Sequence, residues 1–174
     1  MKIRFKPEKT IILRLLKTSD VKKKLRIFNR LNELNERERI KILLKVLEDG
    51  SWTLRERAAY KLAEFGSRVV PRLKRLSIRG YWYTRAAACL ALGEIGNLRA
   101  LDEVVSLLLT DNNPTVIQEA SQALVKIAQK TPVEFCTQLK EMALDAAKME
   151  KILKVLEAGD ITLFNTMKET LTNE

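Results

Sequence analysis

Apolar positions along this chain recur with the spacing of one helix face, and the helices they mark recur with one another. Residues 49–66, 79–96 and 111–128 superimpose at a spacing of about thirty. Counted from Asp49, Arg79 and Asp111, offsets five, nine, thirteen and sixteen carry Leu54, Ala58, Leu62 and Phe65. In the next unit they carry Thr84, Ala88, Leu92 and Ile95, and in the third Val116, Ala120, Leu124 and Ile127. These offsets lie on one side of a 3.6-residue helix. The alanine column lets neighbouring helices approach closely, and the larger residues fill the space between them.

An apolar face also marks a helix before each of these, over 36–49, 67–79 and 97–111, with Pro71 early in the second. Proline is tolerated there because the first amides of a helix have no helical acceptor. Gly66 and Gly96 suit the left-handed conformation that ends a helix. The units are therefore helix pairs, over 36–66, 67–96 and 97–130. Residues 8–34 read as a degenerate first unit, with Leu31 and Leu34 in the Leu and Phe/Ile columns. Residues 132–174 read as a helical cap in which Pro132 and Asp160 open helices, within one domain spanning 1–174. A period of this length is the mark of a solenoid, which offers an elongated surface and not a closed pocket.

The stretch TRAAACLALGEIGNLRALDEVVSLL, with its small-residue column and glycine turn, resembles the HEAT-repeat family, especially the short repeats also found in phycobilin lyases. The resemblance implies an all-α, right-handed α–α superhelix of four to five helix pairs. In that family a turn Asp and an Arg of the following helix form a ladder between neighbouring units. Asp49 and Asp111 match the Asp, and Arg55 and Arg85 match the Arg. Arg79 replaces the Asp in the second unit and Ile117 replaces the Arg in the third, so an incomplete ladder is expected.

Charge divides the chain. Residues 1–99 hold 25 basic and 10 acidic side chains, a net of +15, and residues 100–174 hold 7 and 12, a net of −5. All fourteen arginines lie at or before Arg99. Such asymmetry points to an anionic partner for the first half. Its densest positive charge is the segment 1–9 together with Lys22, Lys23, Lys24, Arg26 and Arg30; Lys22, Arg26 and Arg30 share one helix face. No apolar run is long enough to span a membrane, and no signal peptide is recognisable. A cytoplasmic protein with Cys89 and Cys136 as buried free thiols is expected.

The absence of histidine excludes Ser-His and Cys-His nucleophiles and His metal sites. No phosphate-binding glycine motif occurs; GEIGN is a repeat turn. Acidic neighbours such as Glu36 with Glu38 and Asp102 with Glu103 suit helix starts, where the dipole favours negative charge. A fold-level likeness to the HEAT-like alkylpurine glycosylases carries no catalytic residue onto the chain. No enzyme activity and no cofactor or metal are expected.

What the repeat does not require is aromatic. Trp52 and Trp82 share one offset beside the start of the second helix, with Tyr81 and Tyr83 flanking Trp82. The expected function is a scaffold that binds an acidic protein partner on a concave second-helix face, through Trp52, Arg57, Tyr60, Lys61, Trp82, Tyr83 and Leu90. The alternative is a nucleic-acid-binding module using residues 1–99, since aromatics stack on bases and cations pair with phosphates.

Overall fold

The computed structural model describes Thr10, Arg14 and residues 18–172; the basic segment 1–9 lies outside the described residues. Among the described residues ten α-helices of defined bounds follow one another: α1 (Val21–Asn29), α2 (Glu36–Val46), α3 (Trp52–Ala63), α4 (Val70–Arg79), α5 (Trp82–Ile95), α6 (Leu101–Thr110), α7 (Pro114–Lys130), α8 (Pro132–Glu141), α9 (Ala146–Gly159) and α10 (Ile161–Thr172). There is no strand among the described residues.

Local chemistry sets the helix ends. Asn35, Asn113 and Asp145 cap α2, α7 and α9 by accepting from amides of the first turn. Side chains of this type satisfy donors that the helix itself cannot. Asp160 accepts from the Leu163 amide at 2.9 Å and opens α10. Gly96 ends α5 at φ 59°, ψ 40°, a conformation that disfavours any residue with a Cβ. The first helices of two units begin later than the apolar pattern suggests. Short 3₁₀ turns over Gly66–Arg68 and Leu98–Ala100 precede α4 and α6.

Helices pair as α2 with α3, α4 with α5 and α6 with α7. The second helices α3, α5 and α7 lie side by side, and α9 continues that row against α7. Of the first helices, α4 meets α6. In the cap, α8 rests on α7 and α10 packs on both α8 and α9. The repeat columns are the core: Leu54, Ala58, Leu62, Thr84, Ala88, Leu92, Val116, Ala120 and Leu124 are all buried.

Helix α5 is the centre of the array, enclosed by α3, α4 and α7. Its sequence explains how it fits. Ala86, Ala87, Ala88, Cys89, Ala91 and Gly93 give it a thin profile, and a Cβ added to Gly93 would stand 2.7 Å from the Ala123 Cα. Backbones this close leave no exposed strip along α5. Leu90, expected on the partner surface, is therefore 6% exposed and belongs to the core.

Candidate partner-binding surfaces

Two turns hold a carboxylate between units in the same way. Asp111 accepts from Arg85 Nε at 2.7 Å and Nη2 at 2.9 Å, and from the Asn113 amide at 2.9 Å. Asp49 accepts from Lys24 Nζ at 2.6 Å and from the Ser51 amide at 2.9 Å. Each Asp thus caps its own turn while anchoring a cation from the preceding unit. Lys24 stands six positions after Thr18, as Arg85 stands six after Arg79. Helix α1 therefore supplies a lysine rung.

The rung between these two is missing. The turn after α4 comprises Gly80 and Tyr81, one residue shorter than the turn 111–113. Arg79, at the Asp position, remains the last residue of α4. Arg55 then has no carboxylate opposite it. Its Nη1 donates to the Asp49 carbonyl at 2.5 Å, and its Nε is buried without a partner. Aromatic rings take the carboxylate's place: the guanidinium lies 4.9 Å from the Tyr83 ring centroid and 5.5 Å from that of Trp52. Both distances fall within cation–π range. Burial lowers the Arg55 pKa, against the pull of Asp49 and Tyr83. By contrast, the hydrogen bond to Asp111 raises that of Arg85.

Around this joint lies an aromatic edge. Trp52 and Trp82 are the first residues of α3 and α5, and Tyr81 caps α5. The rings of Tyr81 and Tyr83 stack with centroids 5.4 Å apart, and Trp82 meets Tyr83 edge-on at 5.6 Å. Tyr83 is half-buried beneath them, while Trp52, Trp82 and Tyr81 are 36%, 45% and 72% exposed. Tyr81 was not among the surface residues expected from sequence, although its place beside Trp82 was the available signal.

The other expected surface residues separate. Arg57 and Tyr60 are exposed on α3. Lys61 turns inward, with Nζ 5.8 Å from the Phe28 ring centroid and 3.3 Å from Asn32 Oδ1, and so fastens the first unit. Of the basic cluster, Lys22, Lys23, Arg26 and Arg30 are exposed on α1 and the turn that follows it. Arg30 pairs with Glu33, and Lys23 approaches Asp20 at 4.0 Å. Lys24 is committed to Asp49.

A second basic feature lies between α2 and α4. An open groove of about 810 Å³ is lined by Arg37, Lys41, Leu44 and Lys45 of the first, by Glu48 just beyond its end, and by Arg72, Arg75, Leu76 and Arg79 of the second. The three- and four-residue spacings were legible in the sequence, but that the two helices face each other across a gap was not.

Neither thiol is poised for chemistry. Burial pushes Cys89 up to about 12 and also raises Cys136. Burial raises the carboxyl of Glu119 on α7, and its Oε2 has no hydrogen-bond partner among the described residues. Among the described residues no group of three or more Cys, Asp or Glu side chains could hold a metal ion, and no helix is long and apolar enough to cross a membrane.

A family model described as HEAT repeats matches residues 71–151, which run from α4 into α9. No curated protein matches the chain.

Proposed function

We propose that this member of the HEAT-repeat family is a non-catalytic scaffold that docks a protein partner along its aromatic edge. Proteins built from these repeats commonly serve as interaction scaffolds. The observation that carries the reading here is the joint exposure of Trp52, Tyr81 and Trp82 at the starts of two neighbouring second helices. The family's repeat places no demand on them, and water does not favour three large rings held together at a surface. Tyr and Trp are the residues that most often dominate binding energy at interfaces.

Support from below is rigid. Tyr83 stacks on Tyr81, and the Arg55 guanidinium lies against Tyr83 and Trp52. The rings are thus fixed before a partner arrives, which reduces the ordering cost of association. Arg57 and Tyr60 extend the surface along the second-helix side, the side we assign as concave, and Arg57 gives it preference for an acidic partner.

The test is purification of the tagged chain from its own cells, with and without nuclease, beside a Trp52→Ala/Trp82→Ala variant. Truncating two aromatic anchors should weaken a true partner by roughly thirtyfold or more. The same partners at the same yield on the variant would remove the aromatic edge from consideration. The second reading, a nucleic-acid module on residues 1–99, has the groove arginines in its favour. It predicts nuclease-sensitive retention and oligonucleotide binding that falls steeply with salt. None of the groove's lining residues is aromatic, so bases would lack a stacking platform there.

A further inference from the structure

Part of the charge on this surface is matched within the chain. Lys24, Arg68, Lys74, Arg85, Lys126, Lys148 and Lys154 each reach a carboxylate. Along the layer of first helices, exposed charges that make no ion pair among the described residues form two groups of opposite sign in two places; others, such as Lys22, Arg26 and Arg57, lie outside that layer.

The first place is the groove between α2 and α4. Lys45 is held by Glu48, but Arg37, Arg72, Arg75 and Arg79 are exposed and make no ion pair among the described residues. Leu44 and Leu76 give the groove an apolar lining between its cations. The second place lies two first helices further on. Asp102 of α6, with Glu134 and Glu141 of α8, is exposed and makes no ion pair among the described residues, beside Leu98, Val133 and Met142. Val133 is 73% exposed. Between the two places, Lys74 of α4 joins Glu103 of α6 at 2.8 Å. The layer therefore runs from basic through matched to acidic.

We propose that the exposed crest of α8 from one copy of this chain docks into the α2/α4 groove of a second copy. Val133, Glu134, Thr137 and Glu141 lie on one side of α8 at helical spacing. Glu134 and Glu141 are seven residues apart, about 10.5 Å along a helix axis. Arg72 and Arg79 are separated by the same seven residues along α4, so two carboxylates of the crest match two guanidiniums of the groove. Val133 then lies against Leu44 and Leu76, and Arg37 and Arg75 flank the contact. Arginine pairs with carboxylates in a forked geometry that lysine cannot reproduce. Crest and groove are different surfaces, so the contact is heterologous and each copy can both give and receive. This accounts for the opposite signs of the two groups along this layer.

Sedimentation velocity on the full chain tests the proposal. At about 50 mM salt the weight-average mass should at least double as concentration rises into the hundreds of micromolar, and the association should weaken by roughly tenfold or more near 500 mM salt. Arg72→Glu/Arg79→Glu alone and Glu134→Arg/Glu141→Arg alone should stay monomeric, with unchanged circular dichroism because all four positions are exposed on helices. An equimolar mixture of the two variants should recover the association, since each then offers what the other lacks. A wild-type chain that remains monomeric across this range overturns the proposal, as does a mixture that fails to recover. A single-stranded oligonucleotide that binds wild type but not Arg72→Glu/Arg79→Glu, while the chain alone stays monomeric, assigns the groove to nucleic acid and also overturns it.

Discussion

Removing the Asp111 carboxylate should take away a measurable share of the stability of the array. That carboxylate is 5% exposed and accepts three hydrogen bonds, two of them from the Arg85 guanidinium. Hydrogen bonds to charged groups contribute about 1.5–3 kcal/mol each, and deleting one partner of a buried pair costs about 3–5 kcal/mol. Arg85 keeps 23% side-chain exposure and its bond to the Gly80 carbonyl, so water can partly replace the lost carboxylate. Asp111→Ala should therefore destabilise by about 2–3 kcal/mol. Asp111→Asn, which keeps an acceptor for the Asn113 amide, should lose roughly half of that. In urea the midpoint should fall with the slope unchanged, and the melting temperature should drop by roughly 5–10 °C for a chain of this size.

The pH dependence has a definite sign. Burial opposes ionisation of Asp111, but the hydrogen bonds from Arg85 and the turn amides outweigh it and hold the carboxyl below its usual value. A group whose pKa is lower folded than unfolded contributes stability above its unfolded value, about 3.9, and loses it as pH falls through the folded value. The gap between wild type and Asp111→Asn should be full near neutrality and should close below about pH 4. A gap that persists unchanged at lower pH, or an Asp111→Ala loss under about 0.5 kcal/mol, would refute the ladder as a stabilising device.

Gly93→Ala should destabilise the chain by about 1–3 kcal/mol, although alanine favours helix over glycine by about 1 kcal/mol. The added Cβ meets the Ala123 backbone at 2.7 Å, and a backbone atom cannot rotate aside; a variant of unchanged or raised melting temperature would contradict this. Cys89 and Cys136 should resist an aromatic disulfide reagent at pH 8 in the folded chain and react fully in guanidinium, since both are buried and raised. Labelling of the native chain at the rate of a free thiol would contradict the packing around α5.

Much of this architecture was legible because its signals are local. The starts of the second helices and the Ala, Leu and Phe/Ile columns follow from a 3.6-residue period within single helices, and the Arg85–Asp111 pair is one of the ladder pairings that the HEAT-repeat resemblance implied, beside Asp49 with Arg55 or Arg85. What escaped depends on how helices meet. Leu90 is interior because α7 closes on Gly93, which no periodicity along α5 reveals. Arg79 lines a groove because the turn after α4 is one residue short. The break between α8 and α9 has neither Gly nor Pro; Ala143 takes φ 47° there. Lys24 as the partner of Asp49 required extending the frame into the least regular unit.

The missing rung and the open groove belong to one joint, between the units α2–α3 and α4–α5. There the connection is carried by α3 against α5, by Arg55 on Tyr83 and by the exposed Arg68–Glu36 pair. The next joint has the Asp111 rung, the Lys74–Glu103 bridge and the close approach of α5 and α7. In a linear array each unit is stabilised through its neighbours alone, so unequal joints divide the chain into unequal cooperative blocks. The segment up to α3 is then the block that exchanges its amide protons first and yields first under a pulling force, while α5 and α7 persist as the last folded nucleus. An elastic seam in this position would let the array change its bend without disturbing its core.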